Sequence, residues 1–205
     1  MIIIKIILWV IAIGVIIFIL GWINAIRASF TRDKKILKKI HPAIEAVNSG
    51  NPNAKKFISD LAKDPSTRNT LYRKLKEINK EDLFPKEYIS IEKVAESDLV
   101  LWLLHPNELN ASPSEIELVR GLNIKEDDKS GLIYLFKFRV ESSHWAHDKG
   151  WMAGVAGPFW ENEDIFNPTS IGTFSELTPF ESMTEEEHVN FLKESLNKKG
   201  LVVLS

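Results

Sequence analysis

This chain contains no cysteine among its 205 residues, which excludes disulfide bonds, thiolate nucleophiles and cysteine-bound metals. It also lacks a Gly-Lys-Ser phosphate loop and a Gly-x-Ser-x-Gly nucleophile turn, so nucleotide hydrolases and α/β-hydrolases are disfavoured. No specific motif assigns a metal site or a catalytic group. We therefore expect a protein that uses no cofactor and performs no catalysis.

A long apolar run is present near the N-terminus, where eighteen consecutive apolar residues extend from Ile6 to Ile23. As an α-helix this run spans about 27 Å, close to the ~30 Å hydrocarbon core of a bilayer. The residues from Asn24 to Ser29 lack the small-x-small pattern of a signal-peptide cleavage site. The run therefore predicts a retained single transmembrane anchor over residues 1–26, with Trp22 near one interface.

Basic residues dominate the region after the run. Residues 27–80 contain fourteen Lys and Arg against five Asp and Glu, whereas residues 81–205 contain eleven against twenty-three. Because basic residues are retained on the cytoplasmic side, we expect the N-terminus outside a bacterial inner membrane and the body in the cytoplasm. An exported, membrane-anchored body is the alternative. The basic residues that closely follow the run, expected at the lipid interface, are Arg27, Arg32, Lys34, Lys35, Lys38 and Lys39.

Prolines punctuate a helical region that we assign to residues 27–88. His41-Pro42, Asn51-Pro52 and Asp64-Pro65 recur, and the last two pairs place a capping residue before proline. The segment 51–62, followed by 64–68, resembles a HEAT- or armadillo-like helical repeat, and the resemblance extends over residues 41–80. It implies a scaffold that binds proteins along stacked helices. A generic pair of antiparallel helices packed on a sheet produces the same pattern.

Strand patterns begin after residue 89 and predict an acidic, antiparallel-sheet α+β domain over residues 89–205. Leu99 to Leu104 is either a buried strand or the end of a helix that begins near Ser90. Trp151 to Ala156 predicts a strand stopped by Gly157-Pro158, and Thr184 with Glu187 forms a capping box before a covering C-terminal helix. Two further strands are predicted by apolar alternation at Ile116, Leu118, Leu122 and Ile124, and at Tyr134, Phe136, Phe138 and Val140.

The segment from Ser143 to Asp148 is the best candidate for chemistry. His144, His147 and Asp148 are able to ligate a transition metal, or a histidine could carry a proton near neutral pH. No third protein ligand is identifiable, and the segment is typical of a loop, so a solvated loop is the default.

Large aromatic residues are concentrated around the same segment. Trp145, Trp151 and Trp160 either form a groove for a peptide, a sugar ring or a cation, or fill the core of a small sheet. The candidate partner surface therefore consists of His144, Trp145, His147, Asp148, Trp151 and Trp160.

Taken together, these patterns favour a single-pass, non-catalytic interaction or scaffold protein at the cytoplasmic membrane surface. We expect the lipid bilayer and a protein as partners. We do not expect nucleic acid, because the acidic body would repel it. The alternative is a membrane-tethered enzyme or metal-binding protein that uses His144, His147 and Asp148.

Overall fold

A computed structural model describes residues 2–105, 109, 111–140, 151–166, 178–179 and 183–204, with side chains except at 2–12, 24–29 and 178–179. In these ranges the chain is α+β, with helices and an antiparallel sheet. The helices are α1 (Ile2–Asn48), α2 (Ala54–Lys63), α3 (Pro65–Glu77), α4 (Ile91–Leu103) and α5 (Glu185–Lys198), with 3₁₀ turns at Glu81–Leu83 and Lys86–Tyr88. The strands are β1 (Glu115–Glu126), β2 (Lys129–Arg139), β3 (Met152–Trp160), β4 (Thr178–Pro179) and β5 (Val202–Val203).

The predicted transmembrane anchor is contradicted. Across the residues that are described, no helix combines the length and the apolar character needed to cross a bilayer. The single-pass topology, the inner-membrane location and the scaffold function at the membrane surface are wrong together with the anchor.

The second half of α1 belongs to a helical layer with α2 and α3. Helix α1 ends at Asn48, and Gly50 just beyond it has a φ of +67°, a conformation that glycine adopts without strain. Helix α3 begins as its sequence predicts, because the Asp64 carboxylate accepts a hydrogen bond from the Ser66 amide at 2.9 Å and Pro65 follows it. The apolar side chains that this layer buries together are Ile40, Ala43, Ile58, Ala62, Leu71, Leu75 and Phe84.

The sheet has the order β4-β3-β2-β1-β5, and all of its pairs are antiparallel. Alternation along β2 directs its side chains to two different cores. Tyr134, Phe136 and Phe138 pack with α4, whereas Ile133 and Leu135 pack with α5. The sheet is therefore covered by a helix on each face.

The structure decides two elements that the sequence pattern left open or placed wrongly. Leu99 to Leu103 are helical, in α4, whose N-terminus is capped by the Ser90 hydroxyl. Strand β3 does not stop at Gly157-Pro158 but continues through them to Trp160. Gly157 makes this continuation feasible because its φ is +125° and a Cβ there would lie 2.9 Å from the Leu132 carbonyl oxygen.

Candidate ligand cleft

A cleft with a volume of about 360 Å³ lies where α1, α3 and α4 meet. This volume falls at the lower end of the range typical of ligand sites. Its walls combine charged side chains with a few apolar ones. The lining residues are Arg32, Asp33, Ile36, Leu37, Thr70, Arg73, Lys74, Glu77 and Leu101.

Helix α3 supplies the polar wall of the cleft. Thr70, Arg73, Lys74 and Glu77 stand at intervals of three and four residues, so they share one face of the helix. Leu71 and Leu75 occupy another face, where both are fully buried in the core of the helical layer. Packing of these leucines therefore fixes the direction in which the polar wall faces.

Helices α1 and α4 supply the apolar part and one fixed cation. Ile36 is buried, whereas Leu37 leaves 42% of its surface exposed at the cleft. The guanidinium of Arg32 donates to the Leu101 carbonyl oxygen at 3.0 Å and to the Asp33 carboxylate at 2.9 Å. Arg32 thus ties α1 to the C-terminal turn of α4.

The three cations of the cleft differ in how their charge is balanced. Arg32 pairs with Asp33 at 2.8 Å, and the Lys74 ammonium contacts both Glu77 oxygens, at 2.6 and 2.9 Å. In the described part of the chain, no hydrogen bond or ion pair holds Arg73, which is exposed. Among the described lining side chains there are two carboxylates and three cations, and Arg73 is the cation that neither carboxylate pairs with.

Behind the polar wall, a hydrogen-bonded pair joins α3 to α4. The Asn69 side-chain amide donates to the Asp98 carboxylate at 2.8 Å and to the Val94 carbonyl oxygen at 3.0 Å. Desolvation raises the pKa of Asp98 to about 6, although the Asn69 hydrogen bond and the positive charge of Arg73 both oppose this rise. Asp98 therefore links the buried contact between the helices to the unpaired cation of the cleft.

Arg68, the residue before Asn69, also anchors these two helices. Its side chain is 2% exposed and donates to the carbonyl oxygens of Ala62, Lys63 and Lys93, at 2.9, 3.2 and 2.9 Å. It also forms an ion pair with Glu96 at 3.1 Å. Because its side chain is buried and four of its five N–H donors are already used, Arg68 holds the helices that form the cleft but is not itself available to a ligand.

Most of the predicted aromatic and histidine site falls outside the described residues: His144, Trp145, His147 and Asp148 are not covered. Trp160 is the last residue of β3 and is buried in the core against α5, with only 5% of its surface exposed. Trp151 stands just before the same strand, with the cations of Lys137 and Arg139 at 4.6 and 4.8 Å from its ring centre. The two tryptophans lie at opposite ends of a strand about 30 Å long, so they do not line one groove.

The predicted membrane-interface residues have other positions and contacts. Arg32 lines the cleft, and Lys39 lies 3.4 Å from the Asp64 carboxylate. Lys34, Lys35 and Lys38 are exposed on α1. Trp22 is 66% exposed. The side chain of Arg27 is not among those described.

Sequence reasoning did not find Thr70, Arg73, Leu37 or Leu101 as site residues. The available signal was the polar stripe on α3, but a solvated helix face gives the same spacing. Only the approach of α1 and α4 turns this stripe into the wall of a cleft.

The cleft combines a guanidinium with apolar side chains. Among the described residues that line it there is no histidine, cysteine or serine. Across the described residues, no group of three metal-ligating side chains comes together. A guanidinium beside apolar side chains is suited to binding a ligand that carries an anionic group next to an apolar group.

Comparisons with protein-family models, curated proteins and solved structures found no match to this chain. The HEAT- or armadillo-like resemblance of residues 41–80 therefore stays a prediction.

Proposed function

We propose that this chain is a non-catalytic binding protein whose cleft between α1, α3 and α4 holds a short segment of a protein partner. The observation that carries the proposal is the Arg73 guanidinium, which lines the cleft together with Leu37 and Leu101 and makes no hydrogen bond or ion pair within the described residues. Arginine is enriched at the energetic centres of protein interfaces, where it combines a charge with a flat, weakly hydrated surface.

The dimensions of the cleft support a short segment as the occupant. A volume of about 360 Å³ has room for a few side chains but not for a folded surface. Leu37 leaves 42% of its surface exposed at the cleft, so an apolar side chain of a bound segment has a surface to cover.

The test is selection of a random twelve-residue peptide library, displayed on phage, against the full chain. Two variants close or alter the cleft: Thr70→Trp fills it, and Leu37→Glu places a carboxylate on its apolar side. Lys56→Trp is the matched control, because Lys56 is exposed on α2 and is not part of the cleft lining. Thermal unfolding of each variant establishes that it is folded.

We expect enriched peptides that bind the unaltered chain and Lys56→Trp equally, and that bind both cleft variants at least ten times more weakly. Enrichment of peptides that bind the cleft variants as well as the unaltered chain would contradict the proposal. So would the failure to enrich any peptide that depends on the cleft.

A further inference from the structure

The charges of the cleft specify the ligand more closely than its shape does. Arg32 already donates hydrogen bonds to Asp33 and to the Leu101 carbonyl oxygen, and the Lys74 ammonium donates to both carboxylate oxygens of Glu77. Arg73 keeps all five of its N–H donors available, since it makes no hydrogen bond within the described residues. One planar donor group is therefore presented to the ligand.

The chemical partner that matches this donor is a single carboxylate. A guanidinium binds a carboxylate through two parallel hydrogen bonds, and Arg73 is the cation of the described lining that has no hydrogen bond or ion pair. A phosphate monoester carries close to two negative charges near neutral pH. Its second charge would stand near Asp33 and Glu77 without a free cation to balance it.

The apolar lining adds a second requirement. Leu37, Ile36 and Leu101 lie in the same cleft as Arg73, so the carboxylate has to be close to an aliphatic group that covers them. Glutamate or aspartate next to leucine, isoleucine or valine in one segment satisfies both conditions. A free carboxylate without the aliphatic group would leave this surface in water.

We propose that the cleft recognises an acidic residue adjacent to aliphatic residues in a partner protein, with Arg73 binding the carboxylate through two hydrogen bonds. This inference depends on the proposed binding function and specifies its ligand.

The experiment uses arrays of synthetic nine-residue peptides with randomised flanks and one of three fixed centres. The centres are Leu-Glu-Leu, Leu-Gln-Leu and Leu-phosphoserine-Leu, and binding of the labelled full chain is measured at neutral pH. The protein variants are Arg73→Gln, which removes the charge, and Arg73→Lys, which keeps the charge but not the paired donors. Lys56→Gln removes one positive charge from α2 and is the matched control.

We expect the unaltered chain and Lys56→Gln to bind the glutamate centre about ten times or more tightly than the glutamine centre. Arg73→Gln abolishes this preference, and Arg73→Lys retains only part of it, because an ammonium cannot make the paired bonds.

Three results would overturn the inference: equal binding of the glutamate and glutamine centres, tighter binding of the phosphoserine centre, or an unchanged glutamate preference in Arg73→Gln. If neutral peptides bind and Thr70→Trp abolishes this binding, the preference for a carboxylate is wrong but the cleft is still a protein-binding site. If Thr70→Trp and Leu37→Glu change no interaction, both proposals fail.

Discussion

Helix α4 packs through opposite kinds of chemistry on its two sides. Towards α3 it offers polar groups: Glu96 accepts from Arg68, Ser97 donates to the Pro65 carbonyl, and Asp98 accepts from Asn69. Towards the sheet it buries apolar side chains, among them Leu99 and Leu103, against the aromatic rings of β2 and β3. One helix of thirteen residues therefore belongs to a polar seam and to an apolar core.

The two sides of α4 therefore have different roles: polar contacts define how α3 and α4 are positioned, and apolar contacts hold α4 on the sheet. Apolar contacts tolerate exchanges of similar volume, whereas hydrogen bonds to buried groups require defined geometry and are costly to leave unmade. The polar seam fixes the register of α3 against α4, and that register sets the position of Arg73 in the cleft. The apolar core holds α4 on the sheet without specifying the cleft. Substitutions on each side of α4 test this division.

Arg68→Met gives the largest expected effect. It removes the partner of three buried carbonyl oxygens and of Glu96, and we expect the free energy of unfolding to fall by about 3 to 5 kcal/mol. Urea unfolding of the full chain measures it. Arg73→Met, on the same helix but exposed, is the matched control, with an expected change within about 0.5 kcal/mol. Equal effects of the two variants would show that the seam does not depend on its buried arginine.

Asp98→Asn is expected to change how stability depends on pH. Because folding raises the Asp98 pKa from 3.8 to about 6, the folded chain holds this proton more tightly than the unfolded chain does. The resulting stability is fully present below pH 4 and is lost as the pH rises through about 6. The loss is on the order of 1 to 3 kcal/mol, and it disappears from the variant.

Urea unfolding between pH 4 and pH 7 measures this difference. The quantity to compare is the slope of stability against pH, since asparagine keeps the shape of the side chain but does not titrate. An identical slope in the variant and the unaltered chain would show that Asp98 is not desolvated by the seam.

Gly154→Ala tests the apolar side. A Cβ at this position would lie 2.9 Å from both a Leu99 methyl carbon and a carbon of the Phe138 ring, which are fully buried. We expect overpacking to destabilise the chain by about 1 to 3 kcal/mol. Thermal or urea unfolding gives the value, and Gly14→Ala, where a Cβ meets nothing within 4 Å, is the control. No loss at Gly154 would mean that α4 can move away from the sheet freely.

Phe166→Leu is expected to have the smallest effect. Phe166 stacks on Tyr72 with ring centres 3.8 Å apart, and Leu keeps most of the apolar area while removing the stacking. The expected loss is about 0.5 to 1.5 kcal/mol, measured by urea unfolding. Phe30→Leu, at a residue that is 70% exposed, should leave stability almost unchanged. A loss above that range would indicate that this contact joins α3 to the sheet more firmly than stacking alone.

Features that depend on neighbouring residues could be predicted from the sequence. The capping box before α5 is present, with the Glu187 amide donating to the Thr184 hydroxyl at 3.3 Å and the Thr184 amide donating to the Glu187 carboxylate at 2.7 Å. The alternation that predicted Tyr134, Phe136 and Phe138 on one face is also observed. Both signals are complete within one element, so packing elsewhere does not alter them.

Features that depend on packing between elements could not be predicted in the same way. An apolar run such as Leu99 to Leu103 suits a buried helix as well as a buried strand. Extension of β3 past Pro158 depends on a register shift opposite Leu132 and Tyr134. The cleft is the strongest case, because Arg32, Arg73 and Leu101 are separated along the chain and meet only when three helices pack.

The strand order also bears on synthesis of the chain. Strand β1 pairs with β2 along one edge, whereas Lys125 and Ile124 on its other edge pair with Val202 and Val203. While the ribosome is still making α5, this edge has no partner, and exposed strand edges are sites of intermolecular association. Leu201, which is buried against the sheet, directly precedes β5 and is therefore synthesised together with it. Protection against misassembly during translation therefore depends on a segment of only a few residues, made after every other described strand and helix.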